Sequence, residues 1–134
     1  MAAHIDFIVK TFSLLAMRIF GNLFDASAKS ELSEVCLKIF ETPSISVEKI
    51  ISCGQSSAAG FYYDQPQDEL VWLLSGEAEI LFKNGKLVPL KAGDGLLIDA
   101  HELHRVERTS KNPPCIWIAI FGNFKQDVPL KKGT

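Results

Sequence analysis

Two short stretches restrict the fold more than any other feature of this chain. In "ELVWLLSG", residues 69–76, Val71 and Leu73 occupy one alternate face, and Leu70, Trp72 and Leu74 occupy the other. In "IWIAIF", residues 116–121, Ile116, Ile118 and Ile120 oppose Trp117, Ala119 and Phe121. Both read as strands. A strand with one solvated face alternates apolar with polar, because successive side chains point to opposite sides of the sheet. These two therefore need cover on both faces. One face looks into a barrel interior. The other must lie under N-terminal helices or under a second copy of the chain, and a homodimer is the expectation.

The rest of the chain fits that frame. "ISVEKIISCG" (45–54) is a strand stopped by Gly54, and "EAEILFKNGKLVPL" reads as two strands around Asn84-Gly85, a dipeptide suited to a tight hairpin. "GDGLLIDA", "HRVERTS" and "PPCIWIAIF" continue the series of short strands cut by Gly, Asn and Pro. Such spacing indicates an antiparallel, mainly all-β sandwich or barrel. Upstream, Ile5, Ile8, Val9, Phe12 and Leu15 fall at helical spacing, and "SELSEVCLKIFETP" reads as a second short helix. Ser30 is its N-cap, Glu34 sits in its first turn and Pro43 is its stop. The expected organisation is an N-terminal helical segment at 1–44, a β-barrel at 45–125 and a tail at 126–134. Met17 offers an alternative start to the chain.

With 134 residues, 47% hydrophobic and 22% charged, the chain suits one domain with one core. A net charge of −2 without a basic cluster argues against a nucleic-acid partner. The N-terminal apolar run is broken by Asp6 and Lys10, which argues against a membrane span or signal peptide. Cys36, Cys53 and Cys115 are three, far apart and unpaired in motif, so they read as small buried apolar residues in a reducing cytoplasm.

The chemistry-bearing stretch is "IDAHELHRV", residues 98–106, which carries two of the three histidines. A helical zinc-protease motif needs its histidines four apart, and here His101 and His104 are three apart beside glycines and a strand. Strand parity sets His104, Val106 and Arg108 on one face, so a core-facing Val106 carries His104 inward. His101 then belongs to the preceding turn, and Glu102 faces solvent. Glu69 shares parity with Val71 and Leu73. It is either buried with them, where a carboxylate needs a partner, a proton or a cation, or solvated at the strand's end. Arg105 and Arg108 are surface residues that could attract an anion. Trp72 and Trp117 read as core or interface, Asp94 as turn chemistry, and His4 has no link to the site.

From Gly54 to Phe121 the chain resembles a single-domain cupin. The first cupin motif ends in a Glu, six residues and a Gly, matched by Glu69 and Gly76. The second runs from Gly93 through Asp99 and His101, which stand at its Pro and Gly positions, to His104 at its ligand position. The resemblance implies a double-stranded β-helix, or jelly-roll, barrel with a divalent metal inside, such as Mn²⁺, Fe²⁺, Ni²⁺ or Zn²⁺. It also departs from the pattern. Where cupins carry His-x-His before the Glu, this chain has Tyr63-Asp64-Gln65 or Tyr62-Tyr63-Asp64. The implied ligand set is His104 and Glu69 with Gln65 or Asp64. Simple parity turns Tyr63 and Gln65 inward, whereas a bulge would bring Asp64 in. His101 would sit behind the ligands, and Glu69 or Tyr63 would move a proton if the protein is an enzyme. Two functions follow: a metal-dependent enzyme acting on a small molecule, or a non-catalytic small-ligand-binding or sensor cupin with a degenerate, metal-free site.

Overall fold

A computed structural model describes residues 19–124. The amphipathic helix expected near residues 5–15, His4, the alternative start and the tail from 126 lie outside the described residues. Eight antiparallel strands make two sheets: β1 (Val35–Glu41), β2 (Ser46–Ser52), β3 (Asp68–Ser75), β4 (Glu77–Phe82), β5 (Leu87–Lys91), β6 (Gly95–Ile98), β7 (His104–Thr109) and β8 (Cys115–Gly122). The larger sheet runs β1-β2-β8-β3-β6, and the smaller runs β5-β4-β7. Their inner faces close on one another as a jelly roll, with Val71, Leu73, Ile80, Phe82, Trp117 and Ala119 in its centre.

The doubly apolar strands occupy the middle of the larger sheet. β3 pairs with β8 on one side and with β6 on the other, and Leu73 opposes Trp117 while Val71 opposes Ala119. The outer face is only partly covered. Residues 22–25 cross it as irregular chain, and the Lys49 ammonium donates to the carbonyls of Asn22 (3.1 Å) and Asp25 (2.5 Å). Trp72 stays 39% exposed, although its indole folds over Gly95, where any Cβ would collide with the ring. The Asn84-Gly85 hairpin forms as its chemistry requires. Gly85 adopts φ +96°, its N–H donates to the Phe82 carbonyl, and the Asn84 side chain accepts the Lys86 N–H.

The second helix is a correction. Residues 35–41 form strand β1, the outer edge of the larger sheet, so the barrel's first strand precedes residue 45. The Ser30 hydroxyl does accept a backbone N–H, from Leu32, but that closes a local turn and caps no helix. Seven residues have little helical stability of their own, and pairing with β2 from Val35↔Ile51 to Glu41↔Ser46 prevails. A second correction concerns β7. Glu79 opposes Arg108 and Ile80 opposes Val106, which leaves Glu107 as an extra, bulged residue. Past the bulge the alternation reverses. Arg108 turns to solvent, and Thr109 is buried in its place.

Candidate functional site

The two motif residues meet inside the barrel mouth. Glu69 faces inward from β3 opposite Ile98 and Phe121, and His104 opens β7 opposite Phe82. They are 8% and 4% exposed. His104 Nε2 lies 3.6 Å from Glu69 Oε1, close enough for an ion pair and slightly long for a direct hydrogen bond. The other imidazole nitrogen, Nδ1, donates to the Glu102 carbonyl at 2.8 Å. That bond fixes the neutral tautomer, leaving the Nε2 lone pair directed at Glu69. Glu102 therefore contributes through its backbone while its side chain is exposed. Burial opposes protonation of His104, but the Glu69 carboxylate and the Glu102 carbonyl outweigh it, and the imidazole titrates above its ordinary value.

Tyr63 forms an isolated antiparallel bridge with His104, its N–H donating to the His104 carbonyl at 2.6 Å. Residues opposed in such a bridge point to the same side. The Tyr63 ring accordingly lies 5.5 Å from the imidazole, and Gln65, two residues on, also lines the cavity. Burial, followed by the charges of Glu34, Cys36 and Glu69, pushes the Tyr63 phenol upward. It is a donor at neutral pH and not a base.

Asp64 takes the opposite direction. Its Oδ1 meets His101 Nδ1 at 2.7 Å on the surface, with side chains 58% and 68% exposed. His101 also donates its N–H to the Gln65 carbonyl at 2.7 Å and holds φ +63°. The left-handed backbone explains why this position corresponds to a glycine in the motif. The described residues thus bring Glu69, His104, Gln65 and Tyr63 together, and they set Asp64 and His101 apart as a rim pair.

Three further cavity residues were missed by the sequence reading: Glu34, Cys36 and Glu48. The helix assignment concealed the first two. Glu48 was detectable, because it shares parity with Ile50 in β2 just as Glu69 does with Val71. Glu34 accepts a hydrogen bond from Ser52 Oγ at 3.2 Å, and that hydroxyl in turn accepts one from the Trp117 indole. Cys36 is exposed, not buried as its residue type suggested. Partial desolvation and then the Glu34 charge push its thiol up to about 11, so it stays protonated and unreactive. Arg105 and Arg108 do not face the cavity. Arg105 donates to the carbonyls of Ser57 and Ala58 and pairs with Glu107, and Arg108 pairs with Glu79 at 3.4 Å.

The cavity measures about 150 Å³ and opens at the barrel mouth, with Ile50, Val71, Ile98, Trp117 and Phe121 as apolar wall. The donor set does not fit a cupin metal. Among the described residues no three His, Cys, Asp or Glu side chains converge on one point, so His104 and Glu69 stand as two donors without a charged or imidazole third.

Residues 54–121 match the family model for the cupin domain. A structure from Ralstonia eutropha, described as a "putative mannose-6-phosphate isomerase", is 35% identical, with a TM-score of 0.75 over 80% of this chain and 100% of that one. An uncharacterised Klebsiella pneumoniae protein with a double-stranded β-helix domain is 26% identical, with a TM-score of 0.65 over 80% of this chain and 90% of that one. An RmlC-like cupin of Desulfovibrio desulfuricans shares the fold at 16% identity, with a TM-score of 0.63 over 81% and 100% of the two chains. No curated protein matches the sequence significantly. This chain is a cupin. No helix among the described residues is long and apolar enough to cross a membrane.

Proposed function

We propose that this cupin binds a small organic molecule directly in the barrel cavity, against the Glu69–His104 pair and without a bridging metal. The observation that carries this reading is a cavity of about 150 Å³ with an apolar wall and a few convergent polar groups, the usual make-up of a small-molecule site. The sugar-phosphate reaction named for the Ralstonia relative does not suit it. Phosphate recognition calls for Arg or Lys, and no Arg or Lys is among the cavity-lining residues described. Binding is favoured over turnover. Tyr63 keeps its proton, and Glu69 already faces an imidazole that competes for the same charge.

A second reading, a metal-dependent enzyme using Mn²⁺, Fe²⁺, Ni²⁺ or Zn²⁺, draws support from the His104 tautomer, whose Nε2 lone pair faces Glu69. On that reading, water and the amide oxygen of Gln65 would complete the coordination. Metal content by mass spectrometry separates the two, on untagged protein incubated with each ion and desalted, wild type beside His104→Ala. The proposal expects far less than one metal per chain and no difference between the proteins. Near-stoichiometric metal that disappears in the variant would overturn it. A second copy covering Trp72 and its neighbours on the outer face belongs to the same proposal. Sedimentation equilibrium should then give twice the chain mass, and Trp72→Lys should return the monomer.

A further inference from the structure

The cavity's charge is out of balance. Three carboxylates, Glu34, Glu48 and Glu69, line it, and His104 is the single basic side chain among the lining residues described. Even with His104 protonated, negative charge is in excess. Lys38 opposes Glu48 across the β1–β2 ladder, but its ammonium turns away to Glu41, at 2.9 Å. Glu34 receives only neutral donors, the Ser52 hydroxyl and the Cys36 thiol. Glu48 has neither an ion pair nor a side-chain hydrogen bond among the described residues.

Glu69 has one partner in His104 and room for another. It is 8% exposed and faces the cavity, yet its carboxylate accepts no hydrogen bond from any described residue, and His104 Nε2 stands off at 3.6 Å. An ionised carboxylate has about four lone-pair sites. The His104 ion pair takes one side of the carboxylate and the remaining sites open to the cavity, so the arrangement suits an occupant that brings N–H donors and positive charge. The wall opposite is not that of an ion cage. Ile50, Val71, Trp117 and Phe121 offer aliphatic and aromatic surface, and aromatic faces attract ammonium groups.

We infer that the ligand is a protonated amine on a compact apolar body. This rests on the small-molecule reading above and names its chemical class. A volume of about 150 Å³ matches engineered cavities that admit benzene, so the body is about one six-membered ring in size. The ammonium would lie between Glu69 and Glu48, and the ring against Trp117 and Phe121.

Three probes of one shape test it on the full chain: benzylammonium, benzyl alcohol and benzoate. Titrations are followed by calorimetry and by the methyl resonances of Ile50 and Val71, which report occupancy of the cavity. The expected result is benzylammonium binding about tenfold or more above benzyl alcohol, with benzoate undetectable. Glu48→Gln and Glu69→Gln should each erase most of the preference for benzylammonium over benzyl alcohol. Glu48 is only half-buried, so its variant keeps the test usable if Glu69→Gln fails to fold. Equal or tighter cavity binding of the alcohol or of benzoate would overturn the charge assignment and leave the small-molecule reading intact. Displacement of benzylammonium by stoichiometric Zn²⁺ would overturn it in favour of a metal. Methyl resonances unmoved by all three probes would overturn both.

Discussion

Two histidine–carboxylate pairs, built on histidines three residues apart, differ in almost every physical respect. His101 and Asp64 meet at 2.7 Å, and His104 and Glu69 at 3.6 Å. The shorter contact is the weaker one. On the rim both side chains are more than half exposed, water screens the charges, and such pairs contribute at most about 1 kcal/mol. Inside the mouth both partners have lost most of their water, and each depends on the other to offset that loss. Distance alone therefore misjudges which pair matters. Burial decides it.

The comparison breaks first at Glu69. Glu69→Ala leaves His104 without its counter-charge, and at pH 6 the variant should unfold about 3 kcal/mol more easily in urea. That figure sits at the low end for buried pairs, because the cavity can admit water to the stranded imidazole. Asp64→Ala, measured alongside, should cost at most about 1 kcal/mol. Equal losses would refute the distinction between the pairs.

The pH dependence comes next in size. His104 binds its proton more tightly in the folded protein than in the unfolded chain, because Glu69 and the Glu102 carbonyl outweigh burial. The stability this supplies is fully present below about pH 6.5 and is lost as pH rises through the raised folded value. Wild-type Tm should therefore fall across that range, and His104→Gln should flatten the curve. A profile unchanged by His104→Gln but altered by His101→Gln would transfer the titration to the rim.

The smallest effect is at His101 itself. Its φ of +63° stores about 1 kcal/mol of strain that glycine would release. Losing the exposed pair with Asp64 returns at most a similar amount. His101→Gly should thus stay within about 0.5 kcal/mol of wild type by thermal melting. A loss above about 2 kcal/mol would mean that the rim pair does more than close a turn.

Much of this was legible in the sequence, for reasons that can be named. β3 and β8 declare themselves because residues apolar on both faces have no other stable place than the middle of a covered sheet. Parity with Val71 and Leu73 left Glu69 either buried or solvated at the strand's end, and it was the cupin motif that favoured the inward place it occupies. Parity failed in β7, where the bulged Glu107 reverses every later side chain and sends Arg108 outward. A bulge follows from how two strands register, which neither strand encodes alone. β1 was misread for a related reason. Ser30, Glu34 and Pro43 spell a helix locally, and only the β2 edge, with its unpaired backbone groups, makes the strand preferable. That error concealed Glu34 and Cys36, and with Glu34 one of the cavity's three carboxylates. His101 was read as a turn residue behind the ligands, and its left-handed backbone sets that place at the rim.

The most direct test is the imidazole ¹⁵N spectrum of uniformly labelled protein, recorded across pH with and without one equivalent of Zn²⁺. Both histidines of the motif appear together, which keeps the comparison internal. The account predicts that His104 holds its Nδ1 proton throughout, that Nε2 titrates above the ordinary imidazole value, and that Zn²⁺ leaves both nitrogens unmoved. A His104 Nε2 resonance that shifts to a metal-bound position on adding Zn²⁺, and no longer titrates, would contradict it. The barrel would then hold a metal centre and not a charged pair awaiting a ligand.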